Sequence, residues 1–238
     1  MTALSNIDHP MPKSRRDLAK ADKRRRIIEA SRSLFTANGF DETTVQQIAD
    51  SADIGAGTLF LYVADKSELL LLMFYEAIEE ELVRATIELD KRRRLTTSVS
   101  AFFSQLMSLY EKDLRLSRVY IREFLFHEGK LRAQLDEQNS RIMQFLHARI
   151  LTAQERGEVS SALEAQVIAL HMYALYHSTL SFYLASCLPT QSPNEVLTIL
   201  LESLWSGLKP NVQPAAKTKA GRIPRRPGGK APKAGSST

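Results

Sequence analysis

The sequence predicts an all-α fold on three observations. Apolar residues recur at i, i+3, i+4 and i+7, helix-capping patterns punctuate the chain, and only nine prolines occur in 238 residues. Ile27, Ala30, Ser31, Leu34 and Phe35 set the spacing of a first amphipathic helix over about 21–38, with Gly39 where a left-handed cap belongs. Thr43-Thr-Val-Gln46 then reads as a capping box, and the helix it starts buries Val45, Ile48, Ala49 and Ala52. A break at Asp53 to Gly55 leads into a compact third helix through Val63.

Asp65-Lys-Ser-Glu68 repeats the capping pattern, and Leu69, Leu72, Met73, Tyr75, Ala77, Leu82 and Ile87 sustain a long fourth helix toward Asp90. The basic run Lys91 to Arg94 sits where cations oppose the negative end of that helix's dipole, so it needs no ligand to explain it. Further helices are expected over about 96–112, 114–127, 130–156, 161–187 and 193–208. Ser161-Ala-Leu-Glu164 and Ser192-Pro193-Asn-Glu195 signpost the last two starts, and Gly157 and Pro189 mark the breaks before them.

Hydrophobic content of 44% suffices for a sizeable core. The longest apolar runs, such as Leu69 to Tyr75, fall well short of a bilayer crossing, and residues 1–22 hold no continuous apolar core of signal-peptide length, which points to the cytoplasm. Cys187 is the only cysteine, so an internal disulfide and a Cys-rich zinc cluster are excluded; a small buried or half-buried side chain is expected there. The net charge of +5 hides a partition. Residues 1–26 carry eight basic and three acidic side chains, residues 209–238 eight basic and no acidic ones, and the body between them 16 basic and 24 acidic. Polybasic ends favour a polyanion, either nucleic acid or an anionic membrane surface. The organisation expected is a disordered basic arm over 1–20, a small helical domain over 21–81, a larger helical domain over 82–208 and a disordered basic tail over 209–238, whose Pro, Gly, Ala, Ser, Lys and Arg cannot bury enough apolar area.

Two short helices joined by a three-residue turn, the second rich in small and hydroxyl side chains, meet the physical needs of major-groove reading. Gly55, Ala56 and Gly57 keep the second helix slim at its start, where backbone amides can meet phosphate oxygens. Thr58, Phe60 and Tyr62 follow. The stretch from Ile27-Ile-Glu-Ala through Leu34-Phe, Gly39-Phe, Thr43-Thr-Val-Gln-Gln-Ile-Ala, Gly57-Thr-Leu-Phe-Leu-Tyr-Val and Asp65-Lys-Ser-Glu-Leu-Leu70 resembles the tetracycline-repressor (TetR/AcrR) family of one-component regulators. It covers about 50 residues.

The resemblance implies a helix-turn-helix over 44–63, with Thr44 on a phosphate and Gln46 near a base edge. Ala56, Thr58 and Tyr62 would face the groove, Gly55 and Phe60 complete the DNA-binding set, the Phe60 ring able to touch a thymine methyl, and Lys66 would hold backbone phosphate. Phe60 replaces what is often a tyrosine, and Gly55 and Ala56 replace a pair that is often polar or basic. No Lys or Arg lies between Arg32 and Lys66, so the reader offers few bidentate arginine contacts to guanine. Charge must come from the arm, where Lys13, Arg15, Arg16, Lys20 and Lys23 to Arg26 precede or open the first helix.

Behind the reader, Phe102, Phe103, Leu106, Tyr110, Tyr120, Phe124, Met143, Phe145, Leu146, Met172, Tyr173 and Tyr176 fall on inward stripes. Phe103, Tyr120, Phe124, His127, Phe145, His147, His171, Tyr173, Tyr176 and His177 are the candidate lining of a pocket for an apolar or aromatic small-molecule effector. His171 and His177 are six apart and so lie on different helix faces, and no metal site or cofactor is expected. The resemblance further implies a two-fold homodimer through the last two helices, for which Val167, Leu175, Leu180, Leu184, Val196, Ile199, Leu200, Leu204 and Trp205 offer apolar surface. The expected function is a ligand-released repressor on a palindromic operator, not an enzyme, since no nucleophile, base or metal set has usable spacing. The rival is a helical ligand-binding or adaptor protein whose basic ends contact membrane or RNA; it leaves the 44–63 pattern unexplained.

Overall fold

The computed structural model describes residues 14–88, 94–188 and 192–209, and these form helices and connections with no strand among them. The element order is α1 Arg15–Asn38, α2 Val45–Ser51, α3 Ala56–Leu59, α4 Lys66–Glu88, α5 Leu95–Glu111, α6 Leu114–Leu125, α7 Arg132–Glu155, α8 Ala165–Leu184 and α9 Pro193–Leu208. No described helix is long and apolar enough to cross a membrane.

The first helix starts well before residue 21. Ser14 caps it, its hydroxyl accepting from the amide of Asp17 at 3.2 Å, so residues 15–20 of the expected disordered arm are helical. The cause is the Ser-Arg-Arg-Asp cap itself, with Asp17 also favoured in the first turn by the dipole. Residues 1–13 of the arm and 210–238 of the tail lie outside the described residues. At the other end Gly39 has φ 88°, a conformation that favours glycine, and its amide bonds back to Phe35.

α1, α2, α3 and the start of α4 close around one small core. Ile27, Phe35, Ile48, Ala49, Leu59, Val63 and Leu69 to Leu72 are all essentially sealed from solvent. The capping box of α2 is one residue later than expected. Thr44 accepts from the amide of Gln47 at 3.2 Å, and Gln47 Oε1 accepts from the amide of Thr44 at 2.8 Å. Thr43 is buried instead, its hydroxyl donating to Gly39 O at 2.7 Å, which ties the connection to the end of α1. Arg26 sends its guanidinium to Ala52 O at 2.8 Å and Asp53 O at 3.2 Å, filling carbonyls that the end of α2 leaves free. Asp53 takes φ 52°, the left-handed turn that redirects the chain into α3.

α3 is a single turn, shorter than expected; tighter i to i+3 bonds carry the chain through Leu61 and Tyr62. At the start of α4, Asp65 accepts from the amide of Glu68, while Glu68 reaches back to Ala64 rather than to Asp65. The body packs α5–α9 on the rest of α4, with Val99, Phe102, Phe103, Leu106, Leu146, Ile150, Met172 and Leu180 at its centre.

The box expected at Ser161–Glu164 does not form. Glu164 is the cap residue of α8 without a side-chain bond, and residues 160–163 make a turn pinned by the Ser160 amide on Leu208 O at 2.9 Å. The box at Ser192–Glu195 forms, with Pro193 in the first turn. Cys187 is exposed, because the chain leaves α8 through a turn at Ser186, φ 58°, just before it.

Candidate nucleic-acid interface

The reader is assembled so that its polar and small residues are left outside the core just described. Thr44, Gln46 and Gly55 are exposed, Ala56 and Thr58 are half-buried, and Phe60 is 43% exposed. Gln46 holds Asp50 one turn on at 2.8 Å. Leu59 and Val63 face inward and fix the turn against α1 and α2. No atom stands within 4 Å of where a Cβ would extend from Gly55 or Gly57, so the approach to α3 is open. Leu61, which the sequence reading passed over, projects from the end of the reader with 79% of its surface exposed.

Tyr62 lies against α1, its hydroxyl 3.4 Å from Lys20 O. That contact brings the basic start of α1 beside the reader. Arg15, Arg16, Lys20 and Lys23 are exposed and, at about 100° per residue, fall within an arc of roughly 140° on the helix. The next three cations are occupied: Arg24 by Glu76, Arg25 by Asp22 and Glu29, and Arg26 by α2. Lys66 is half-buried, donating to Phe40 O at 2.8 Å and Asp41 O at 3.1 Å over the Phe40 ring. It braces the α1–α2 connection.

Within the body, five of the ten candidate pocket residues converge. Tyr120, Phe124, Tyr173, Tyr176 and His177 line a small cavity of about 10 Å³ together with Tyr110, Gln138, Asn139 and Ile142. Phe103 stacks on Tyr176 with centroids 4.9 Å apart, and Phe145 packs one layer further out against Phe102. His127 lies outside the cavity beside Glu68, His147 is half-buried on α7, and His171 is exposed on α8. Burial pushes His177 down to about 4, so it is a neutral ring at pH 7, and burial likewise raises Tyr110 to about 12. Tyr173 donates to Asn139 Oδ1 at 2.6 Å. The site is thus an uncharged aromatic box with a few fixed polar atoms. Its volume is about that of one water, so any larger guest must displace side chains.

α8 and α9 divide the expected dimer surface. Leu180, Leu184 and Trp205 are buried within the protomer and Leu175, Val196 and Leu204 half-buried. These helices are apolar on most sides, and packing on α5 and α7 claims one of them. Val167, Leu170 and Phe182 on α8 and Ile199 and Leu200 on α9 remain outside, between 36% and 57% exposed.

A solvent-facing helix-turn-helix joined by a long α4 to an all-helical body is the architecture of a DNA-binding transcriptional regulator. Residues 27–73 match the pattern of "Bacterial regulatory proteins, tetR family". Over 151 residues the chain is 28% identical to the transcriptional repressor KstR of Rhodococcus jostii, spanning 63% of this chain and 69% of that one. It is 22% identical over 162 residues to the fatty acid metabolism regulator protein of Bacillus subtilis, spanning 68% and 84%. Thermus thermophilus FadR, a repressor solved with lauroyl-CoA, superposes with a TM-score of 0.65 over 81% of this chain and 98% of that one, at 22% identity. Bacillus subtilis FadR, solved with stearoyl-CoA, gives 0.62 over 77% and 98%, at 20% identity. The match to the tetR family covers the helix-turn-helix and the start of α4, about a fifth of the chain.

Proposed function

We propose that the protein is a homodimeric repressor that holds a palindromic operator and releases it when a small effector enters the aromatic box of the body. The observation that carries this reading is the reader itself. Thr44, Gln46 and Gly55 are exposed, Thr58 is half-buried, and the adjoining stripe of four cations on α1 faces solvent with no acidic partner among the described residues. One reader with so few base contacts gains specificity when two stand a DNA turn apart, roughly 34–36 Å. The uncovered apolar residues of α8 and α9 supply the surface through which two copies would pair, and the protein would act in the cytoplasm.

The effector opens the box rather than filling an existing void, so its binding favours a different packing of α4 to α8. By linkage the operator is then held less tightly. A neutral His177 among tyrosines suits an apolar or aromatic guest. Because the two FadR structures hold acyl-CoA thioesters, lauroyl- and stearoyl-CoA are the first compounds to try. The test is a mobility shift on the DNA flanking the protein's own gene, repeated with each thioester and with flat aromatic acids. Release by any of them supports the reading; tight binding of a compound with unchanged operator affinity contradicts the release mechanism.

A further inference from the structure

Glu68 lies in the first turn of α4 with its side chain fully buried, and both domains reach for its carboxylate. Oε2 accepts from the amide of Ala64, at the exit of the reader. Oε1 accepts from the amide of Leu131 at 3.1 Å and lies 3.1 Å from His127 Nε2. Ala64 belongs to the reader side, whereas His127 and Leu131 belong to the connection between α6 and α7. The same connection sends Lys130 Nζ to Phe60 O at 3.0 Å, at the end of α3. Arg132 holds it in shape by donating to His127 O at 3.2 Å.

Gly129 shows how tightly this connection is pressed down. A Cβ there would stand 2.1 Å from Glu68 Oε1 and 2.6 Å from His127 Cε1. Only glycine lets the backbone approach so closely. A helix-start carboxylate that merely capped α4 would need Ala64 alone; the two partners on the body side are not explained by capping. Burying a carboxylate is costly unless donors surround it, and here donors from two domains do so.

The geometry points to Glu68 as a positioning residue for DNA reading. By clasping Ala64 on one side and Leu131 and His127 on the other, it fixes the angle at which the reader leaves the body. In the dimer that angle sets the separation of the two readers. Glu68 is sealed from solvent and acts only through the reader's exit. This rests on the proposed two-headed operator binding.

The experiment uses the full chain and a duplex enriched from a random pool by the wild-type protein. The same duplex with its half-sites moved apart by a base pair or two, and an unenriched duplex, complete the set. Glu68→Gln keeps the size but turns a donor toward a donor, and Gly129→Ala forces the connection off the carboxylate. Both are expected to lower the preference for the enriched spacing roughly tenfold. Binding to the unenriched duplex should stay unchanged. His127→Gln, which can still donate, should lie nearer wild type than His127→Ala. A purely structural role would lower the melting temperature and leave the spacing ratio as it was. An unchanged ratio in folded Glu68→Gln and Gly129→Ala overturns the clasp; if Glu68→Gln does not fold, Gly129→Ala and His127→Ala decide it. Failure of the wild type to enrich any sequence would defeat the DNA reading together with the clasp, a result distinct from enrichment with an unchanged ratio.

Discussion

Replacing Arg15, Arg16, Lys20 and Lys23 together by Gln removes the exposed cations of the α1 stripe without touching the core. All four are solvent-exposed, and Arg24, Arg25 and Arg26 remain engaged with Glu76, Asp22, Glu29 and α2. Each phosphate neutralised contributes about 0.9 to the slope of log affinity against log salt on B-DNA. A dimer loses eight such cations, so full engagement predicts a slope flatter by about 7, and half engagement by about 3.5. The assay is fluorescence anisotropy on the enriched duplex at several salt concentrations, with Arg25→Gln as a control that should leave the slope nearly unchanged. The folded quadruple variant should retain its thermal midpoint. If its slope matches wild type within about one unit, α1 does not supply the charge that the uncharged reader lacks.

Thr44→Ala removes one half of the α2 capping box and should cost about 1 kcal/mol in thermal or urea unfolding, with operator affinity falling in parallel. Val167→Asp combined with Phe182→Asp places charge on the uncovered face of α8; sedimentation should show monomers, with operator binding lost while the helical content persists. His177, pushed by burial from 6.5 to about 4, binds its proton less readily folded than unfolded. Stability therefore falls as pH drops from about 6.5 toward 4 and is full above that window, and His177→Phe should flatten this dependence in urea titrations.

The order of the helices was legible in the sequence because each carries its own periodicity and most carry a cap. What was not legible was competition between equivalent local signals. Thr43-Thr44 followed two residues on by Gln46-Gln47 offers two capping boxes one residue apart, and only burial of Thr43 against α1 decides for the second. Ser14-Arg-Arg-Asp17 is a cap signal too, but it lies in a basic, proline-flanked stretch whose composition reads as an arm. Ser161–Glu164 lost to a turn fixed by Leu208 O, a contact about 50 residues distant in sequence and so invisible to a local reading.

The candidate sites divide the same way. The reader is a contiguous stretch, so its geometry follows from its own spacing. The aromatic box is built from α4 to α8, and spacing within a helix says which residues share a face but not which helix that face meets. Tyr173, Tyr176 and His177 therefore reach the box, whereas His171 on the same helix points to solvent and His127 is drawn away to Glu68. Lys66 has the charge for a phosphate, yet the carbonyls of Phe40 and Asp41 occupy it here, which no local pattern announces.

The most direct test of the central claim is selection of duplex DNA from a random pool by the full-length wild-type protein, repeated with Tyr62→Ala and with the α8 double variant. The account predicts a two-fold symmetric sequence whose half-sites lie about one helical turn apart, enriched by the wild type and lost or strongly weakened in both variants. Enrichment of no sequence, or equal retention of random duplex, RNA and anionic vesicles through the basic α1 stripe, would contradict it.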